Sequence, residues 1–241
     1  MKDETQQSRV AKANAATKSD RARSNSRLLL ASGSPRRREL IGLTGWPVDI
    51  RPTRADETPQ PGETGRELTR RLARLKALAV APSDGAVVLT ADTTVVDGED
   101  LLGKPADGRA AREMLERLRG REHSVLTSIA VRAPDGTLLV DTCESSVPMR
   151  RYGDDEIGRY LAGGSPFDKA GGYGIQDGLF EPVDMRSFHD CFANVMGLPL
   201  CHVVRTLRRI GMEPGVDVPA ACMAHLGYDC RVYPAILGEA A

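Results

Sequence analysis

The sequence has no net charge to spare: 33 lysines and arginines are matched by 33 aspartates and glutamates in 241 residues. A general nucleic-acid or membrane-surface binder needs a basic excess to displace counter-ions, so the local basic clusters present here must serve local anions. Long apolar runs are missing too. None could span a bilayer, and the N-terminus, polar as far as Ser26, lacks the apolar core of a secretory signal, which makes the cytoplasm the expected location. The five cysteines (Cys143, Cys191, Cys201, Cys222 and Cys230) are odd in number and contain no CxxC pair. That pattern argues against a disulfide framework and predicts reduced thiols, most of them small core residues. There is no internal repeat.

What is present begins with Ser32-Gly33-Ser34-Pro35-Arg36-Arg37-Arg38-Glu39-Leu40, directly after the apolar run Leu28-Leu29-Leu30-Ala31. Ser34 suits an N-cap and Pro35 the first helical position, which sets Arg36 and Arg37 beside free backbone N–H groups. Cations there oppose the helix dipole, an arrangement that makes sense when an anion occupies the site. A capped surface helix with solvated arginines fits the same residues, and only the rest of the chain can choose between the two.

Residues 1–26 have almost no large apolar groups and are expected to be disordered; the fold is expected over 27–210, with 211–241 as an extension. Hydrophobic patterning predicts a strand near 27–32, a helix near 35–44, a strand over 47–52 and a Pro/Glu/Thr-rich loop from Asp56 to Gly65. A basic amphipathic helix follows, with Leu68, Leu72, Leu75 and Ala79 as its apolar stripe and Arg70, Arg71, Arg74 and Lys76 off it. Ala86–Thr90 reads as a buried strand running into Ala91-Asp92-Thr93-Thr94, then a hairpin at 97–100 and a helix near 107–119. Two long antiparallel strands are expected near 123–132 and 137–149, then a short helix from Asp154 and a Gly-rich loop from Ser165 to Gly178 holding Asp168, Lys169 and Gln176. Leu179–Met185 reads as a further strand and Leu198–Ile210 as the last strong helix. The fold class is α/β, one domain large enough for a substantial core.

Taken in order, SGSPRR at 32–37, Asp56-Glu57, Lys76, ADTTV at 91–95, GKP at 103–105, FDKAGGYGIQ at 167–176 and NVMGLPL at 194–200 resemble the Maf (septum-formation) family of nucleoside triphosphate pyrophosphatases. The resemblance covers most of 27–210. It implies a mixed sheet with flanking helices, two lobes around a central cleft as in the inosine-triphosphatase type, and attack of water at the α-phosphorus to release a nucleoside monophosphate and pyrophosphate. By the same resemblance Asp92 is the base and, with Glu57, a ligand of a divalent cation; hard oxygen ligands suit Mg²⁺ or Mn²⁺. Arg36, Arg37, Lys76, Lys104 and Lys169 would neutralise the polyphosphate, Ser32 and Ser34 would bond its oxygens or merely cap the helix, and Gln176 offers a donor and an acceptor to a pyrimidine edge. SPRR with DKAGGYGIQ is similar to the branch preferring dTTP and UTP, an assignment by analogy.

Three features depart from the family. Leu75 stands where a glutamate is usual beside the lysine, so a helper carboxylate is expected to be missing. Residues 186–193 replace the usual approach to the Asn-Val motif; within them His189, Asp190 and Cys191, as neighbours along an extended chain, point apart and make no triad. The tail from Gly211 carries Val218, Met223, Leu226, Tyr228, Val232, Tyr233, Ile236 and Leu237 and is expected to pack against something, a homodimer partner being one candidate. Cys222, His225 and Cys230 give three soft ligands where a closed zinc site needs four. The competing readings are the same chemistry on CTP, modified or purine nucleotides, and a nucleotide-binding regulator of cell division with little turnover. Neither a nucleic-acid nor a membrane partner is expected.

Overall fold

The structure, a computed structural model, describes residues 27–81, 85–164, 166–178 and 180–238; the disorder expected for 1–26 falls outside them. Strand β1 (Leu28–Leu30) is buried on both faces, as its unbroken apolar run requires, and lies parallel to β2 (Val48–Ile50) and β3 (Val87–Asp97). Beyond β3 the pairing is antiparallel. Strand β4 (Asp100–Leu102) folds back on β3 through the turn at Gly98, and β5 (Glu122–Arg132) and β6 (Leu138–Pro148) complete a six-stranded mixed sheet in the order β2-β1-β3-β5-β6.

Helix α1 (Pro35–Gly42) links β1 to β2, and α2 (Gly65–Ala79) crosses back from β2 to β3. A capping box starts α2, Thr64 accepting from Glu67 N while Glu67 accepts from Thr64 N. Gly65 is needed there, since a Cβ would stand 2.5 Å from Val96 Cγ2. The helix therefore lies close on β3. Along β3 the side chains alternate: Val87, Leu89, Ala91 and Val95 enter the main core, whereas Thr90 donates to Ala73 O of α2 at 2.7 Å and Asp92 meets Lys76.

The face of α2 that meets the sheet differs from the expected stripe. Leu68, Thr69, Leu72, Ala73, Lys76 and Ala77 are buried, while Leu75 and Ala79 are exposed. Lys76 is thus in line with Leu68 and Leu72 at successive i, i+4 steps, and the ammonium enters the fold because carboxylates receive it.

Helix α3 (Gly108–Leu118) precedes β5, and α4 (Asp154–Ala162) follows β6. The strand expected over Leu179–Met185 does not form over the described residues 180–185. Among the described residues that region makes only single bridges, Asp177 with Phe180 and Val183 with Met149, because Pro182 cannot continue a ladder and Asp184 turns the chain onto Arg186 N and Ser187. Helices α5 (Phe192–Val195) and α6 (Leu200–Arg208) then pack on the sheet, and α6 is not the last: α7 (Val218–Leu226) and α8 (Tyr233–Leu237) follow. The tail packs on its own chain. Val218 and Leu226 are buried, the Tyr228 ring packs at a tilt with its centroid 5.4 Å from those of both Phe188 and Phe192, Trp46 Nε1 donates to Glu213 O, and His225 Nε2 lies 2.7 Å from Glu39.

Candidate active site

A cleft of about 470 Å³ opens between the N-terminus of α1, the middle of β3 and the loop at 166–178. Of the residues singled out from sequence, Ser34, Arg36, Arg37, Glu57, Asp92, Lys104, Lys169 and Gln176 line it. Ser32 stands behind the turn, where its Oγ accepts from Ser34 N at 3.2 Å, and Ser34 Oγ accepts from Arg37 N at 3.5 Å. Both serines hold the helix start.

Asp92 projects from β3 into the base of the cleft and is only 6% exposed. Its Oδ1 accepts from Lys76 Nζ at 2.6 Å, and the same ammonium lies 2.6 Å from Glu57 Oε1 on the segment before α2. No hydrogen bond reaches the other Asp92 oxygen among the described residues. The two carboxylates are driven in opposite directions. Burial, with Glu57 adding to it, raises the Asp92 carboxyl above its usual value despite Lys76 and Arg37. Burial also acts on Glu57, but there the bond and charge of Lys76, with Lys104 and Arg37, prevail and hold it low. Paired carboxyls with separated affinities for a proton are the arrangement in which one serves as base and the other stays ionised.

Arg37 is held without an anion. Its Nε donates to Gly197 O at 2.8 Å and its Nη2 to Thr93 Oγ1 at 3.0 Å. Thr127 Oγ1 spends its single proton on Asn194 O, so the 2.9 Å contact between the threonines requires Thr93 to donate to Thr127 and to accept from Arg37. This polarised chain fixes the guanidinium plane. Gly197 has φ 102°, and a Cβ there would stand 3.3 Å from Arg37 Nε, so glycine admits the side chain. Burial lowers the affinity of the Arg37 guanidinium for its proton, with Arg36 adding to that, while Asp92 and Glu57 oppose it.

Arg36 and Lys169 are held differently. Arg36 Nη1 meets Asp168 Oδ2 at 3.0 Å, and Lys169 Nζ meets Asp168 Oδ1 at 2.7 Å. Behind this loop Tyr173 OH shares a 2.7 Å hydrogen bond with buried His123 of β5. Thr93, Gly197, Asp168 and the His123–Tyr173 pair were not among the sequence candidates. Thr93, Asp168, Tyr173 and Gly197 lie inside the motifs quoted above without being assigned a role, and His123 lies in none of them.

Two carboxylates meeting at one ammonium form the kind of hard-oxygen pair that accepts Mg²⁺ or Mn²⁺ when waters and substrate oxygens fill the remaining positions. Among the described residues no group of three or more His, Cys, Asp or Glu could hold a metal. His225 is turned to Glu39, and Cys222 and Cys230 line a small apolar pocket with Cys191 and Cys201. Leu75 is exposed on the outer side of α2. Asp190 accepts from Ser146 N while Cys191 is buried and His189 exposed, so these neighbours do point apart.

An α/β protein whose cleft sets a buried carboxylate on a strand and arginines at a helix start belongs to the class that handles anionic substrates in a crevice beside its sheet. Residues 27–210 match the family described as Maf-like protein, and the chain belongs to that family. It is 46% identical over 190 residues to the dTTP/UTP pyrophosphatase of Anaeromyxobacter dehalogenans (strain 2CP-C), covering 77% of this chain and 94% of that one. The dTTP/UTP pyrophosphatase of Hahella chejuensis is 45% identical over 191 residues, 78% of this chain and 94% of that one. The Staphylococcus aureus Ham1 protein is similar over 53% of this chain and 75% of that one, at 18% identity and a TM-score of 0.39.

Proposed function

We propose that this protein hydrolyses nucleoside triphosphates, dTTP and UTP foremost, to nucleoside monophosphate and pyrophosphate. The observation that carries this reading is the cleft itself: Asp92, its proton affinity raised by burial, faces a wall of cations from α1, the GKP turn and the 166–178 loop. The pyrimidine preference rests on the named relatives, which match over 94% of their own length.

Arg36, Arg37, Lys104 and Lys169 bind the phosphates, with Arg37 offering a fork whose orientation is already set. Asp92 takes a proton from the water that attacks the α-phosphorus through its unbonded oxygen. The bond from that phosphorus to the bridging oxygen breaks, and pyrophosphate leaves among the lysines and arginines that neutralise it. Glu57 and Asp92 would hold a divalent cation in competition with Lys76. Such an ion supplies further neutralisation of the phosphate oxygens and lowers the proton affinity of bound water. Gln176 lies on the cleft wall where the base would be read.

The test is pyrophosphate release from dTTP, UTP, CTP and GTP with Mg²⁺ or Mn²⁺. The expected result is turnover of dTTP and UTP by the wild type and a loss of at least about 10³-fold for Asp92→Asn. No turnover of any triphosphate sinks the enzyme reading, and full activity in the variant sinks Asp92 as base. The regulator reading draws no support from Leu75, which is exposed on the outer side of α2.

A further inference from the structure

One carboxylate in the cleft opposes the chemistry just described. Asp168 bridges Arg36 and Lys169, two of the cations needed for the phosphates, and it joins the α1 wall to the loop wall across 132 residues of sequence. An exposed ion pair contributes little to stability, so a contact of this kind need not exist to hold the fold. We propose that Asp168 is a latch that stands in for a phosphoryl group: it parks Arg36 and Lys169 in their binding positions while the cleft is empty and is displaced by the substrate phosphates. This rests on the proposed reaction and adds a positioning residue to it.

Exposure decides which partner gives way. The Asp168 side chain is 60% exposed, against 32% for Arg36 and 13% for Lys169. Lys169 is further confined by the loop backbone, since even a Cβ at Gly174 would come 3.0 Å from its Cε. The cations are the less exposed partners, and Lys169 Nζ also lies 3.8 Å from Asp177 Oδ2, so the Asp168 carboxylate is the group free to leave. Its two oxygens, one on each cation, use the same geometry that two oxygens of a phosphoryl group would use. Both cations hold the Asp168 carboxyl below its usual value against the opposing effect of burial, so it is ionised and competes as an anion. After hydrolysis the same competition works in reverse. Asp168 returns to Arg36 and Lys169 as pyrophosphate departs, which favours release of the product.

The experiment is calorimetric titration of inorganic pyrophosphate, at low salt and without nucleotide, into the full chain and into Asp168→Asn. Glu39→Gln serves as control, because Glu39 lines the cleft yet pairs with His225. The latch predicts that Asp168→Asn binds pyrophosphate about five- to tenfold more tightly, while Glu39→Gln stays within about twofold of wild type. In turnover Asp168→Asn should lower KM by a similar factor without raising kcat, a split that a merely structural loss would not produce. Unchanged or weaker binding in Asp168→Asn overturns the proposal, as does equal tightening in both variants, which would be a generic effect of removing charge. Absence of pyrophosphate binding in both proteins also overturns it. If the wild type turned over no triphosphate, the reaction would fail while the titration still decided the latch.

Discussion

The cleft has a floor and a rim, and they hold their charges by opposite means. On the floor, Asp92, Lys76 and Arg37 emerge from a strand and two helices that pack through the core, and Arg37 is fixed by a carbonyl and a hydroxyl rather than by an anion. At the rim, Arg36 and Lys169 share one exposed carboxylate, Asp168, that competes with whatever they are meant to bind, while Lys169 also lies 3.8 Å from Asp177. Groups that must be present at every turnover are preorganised by burial, Arg37 by neutral acceptors and Lys76 and Asp92 by each other, and groups that must grip and release share an exposed, displaceable ion. The difference assigns the floor to chemistry and the rim to the exchange of substrate and product.

The strongest way to break this comparison is to remove the cation at the base of the floor. Lys76→Met leaves Asp92 buried beside Glu57 with no ammonium between them. Loss of one partner from a buried pair typically costs about 3–5 kcal/mol, so a marked fall in the denaturant midpoint is expected, together with at least about 10²-fold lower turnover. Stability and activity both within twofold of wild type would mean that the floor is not held by charge.

A sharper comparison sets the two arginines against each other. Arg37→Ala removes a preorganised fork that gives up nothing on binding, so kcat/KM should fall by about 1.5–3 kcal/mol, or roughly 10- to 150-fold. Arg36→Ala removes a fork that must first release Asp168, and its loss should be several-fold smaller. Steady-state kinetics on dTTP decide between them. Equal losses would erase the distinction between floor and rim.

The floor was far more legible in the sequence than the rim. Ser34, Pro35 and the arginines announce a helix start by local rules, and a β-branched run ending in Ala91-Asp92 announces a carboxylate on a buried strand. Lys76 was misplaced for a physical reason: hydropathy counts Leu75 as core and Lys76 as surface, but burial follows the sheet that the helix meets, and a lysine facing two carboxylates satisfies that face as well as a leucine would. The Arg36–Asp168 contact has no local signal, since nothing near either residue points 132 positions along the chain. The segment 186–193 and the tail, read separately as two departures from the family, are one feature. Tyr228 of the tail packs on Phe188 and Phe192, so the altered segment and the extension that covers it belong together.

The last comparison concerns how the rim is tied to the floor, where the variant's own effect at pH 7 is the smallest. His123 of β5 is 4% exposed and bonds Tyr173 of the loop, and burial lowers its pKa to about 4; His202, also buried, is lowered to about 4. In the unfolded chain histidine titrates near 6.5, so between about pH 6.5 and about pH 4 the unfolded state binds protons that the folded state refuses. Stability should therefore be full above that window and fall as the pH drops through it, by on the order of 3 kcal/mol for each histidine. Urea unfolding across this window measures the slope. Replacing both partners, His123→Phe with Tyr173→Phe, leaves no polar group stranded and should cost little at pH 7. It should also remove about half of the acid slope, the remainder belonging to His202. If the double variant keeps the full slope, His123 is not what ties the loop's stability to pH, and the link between rim and floor must be sought elsewhere on β5.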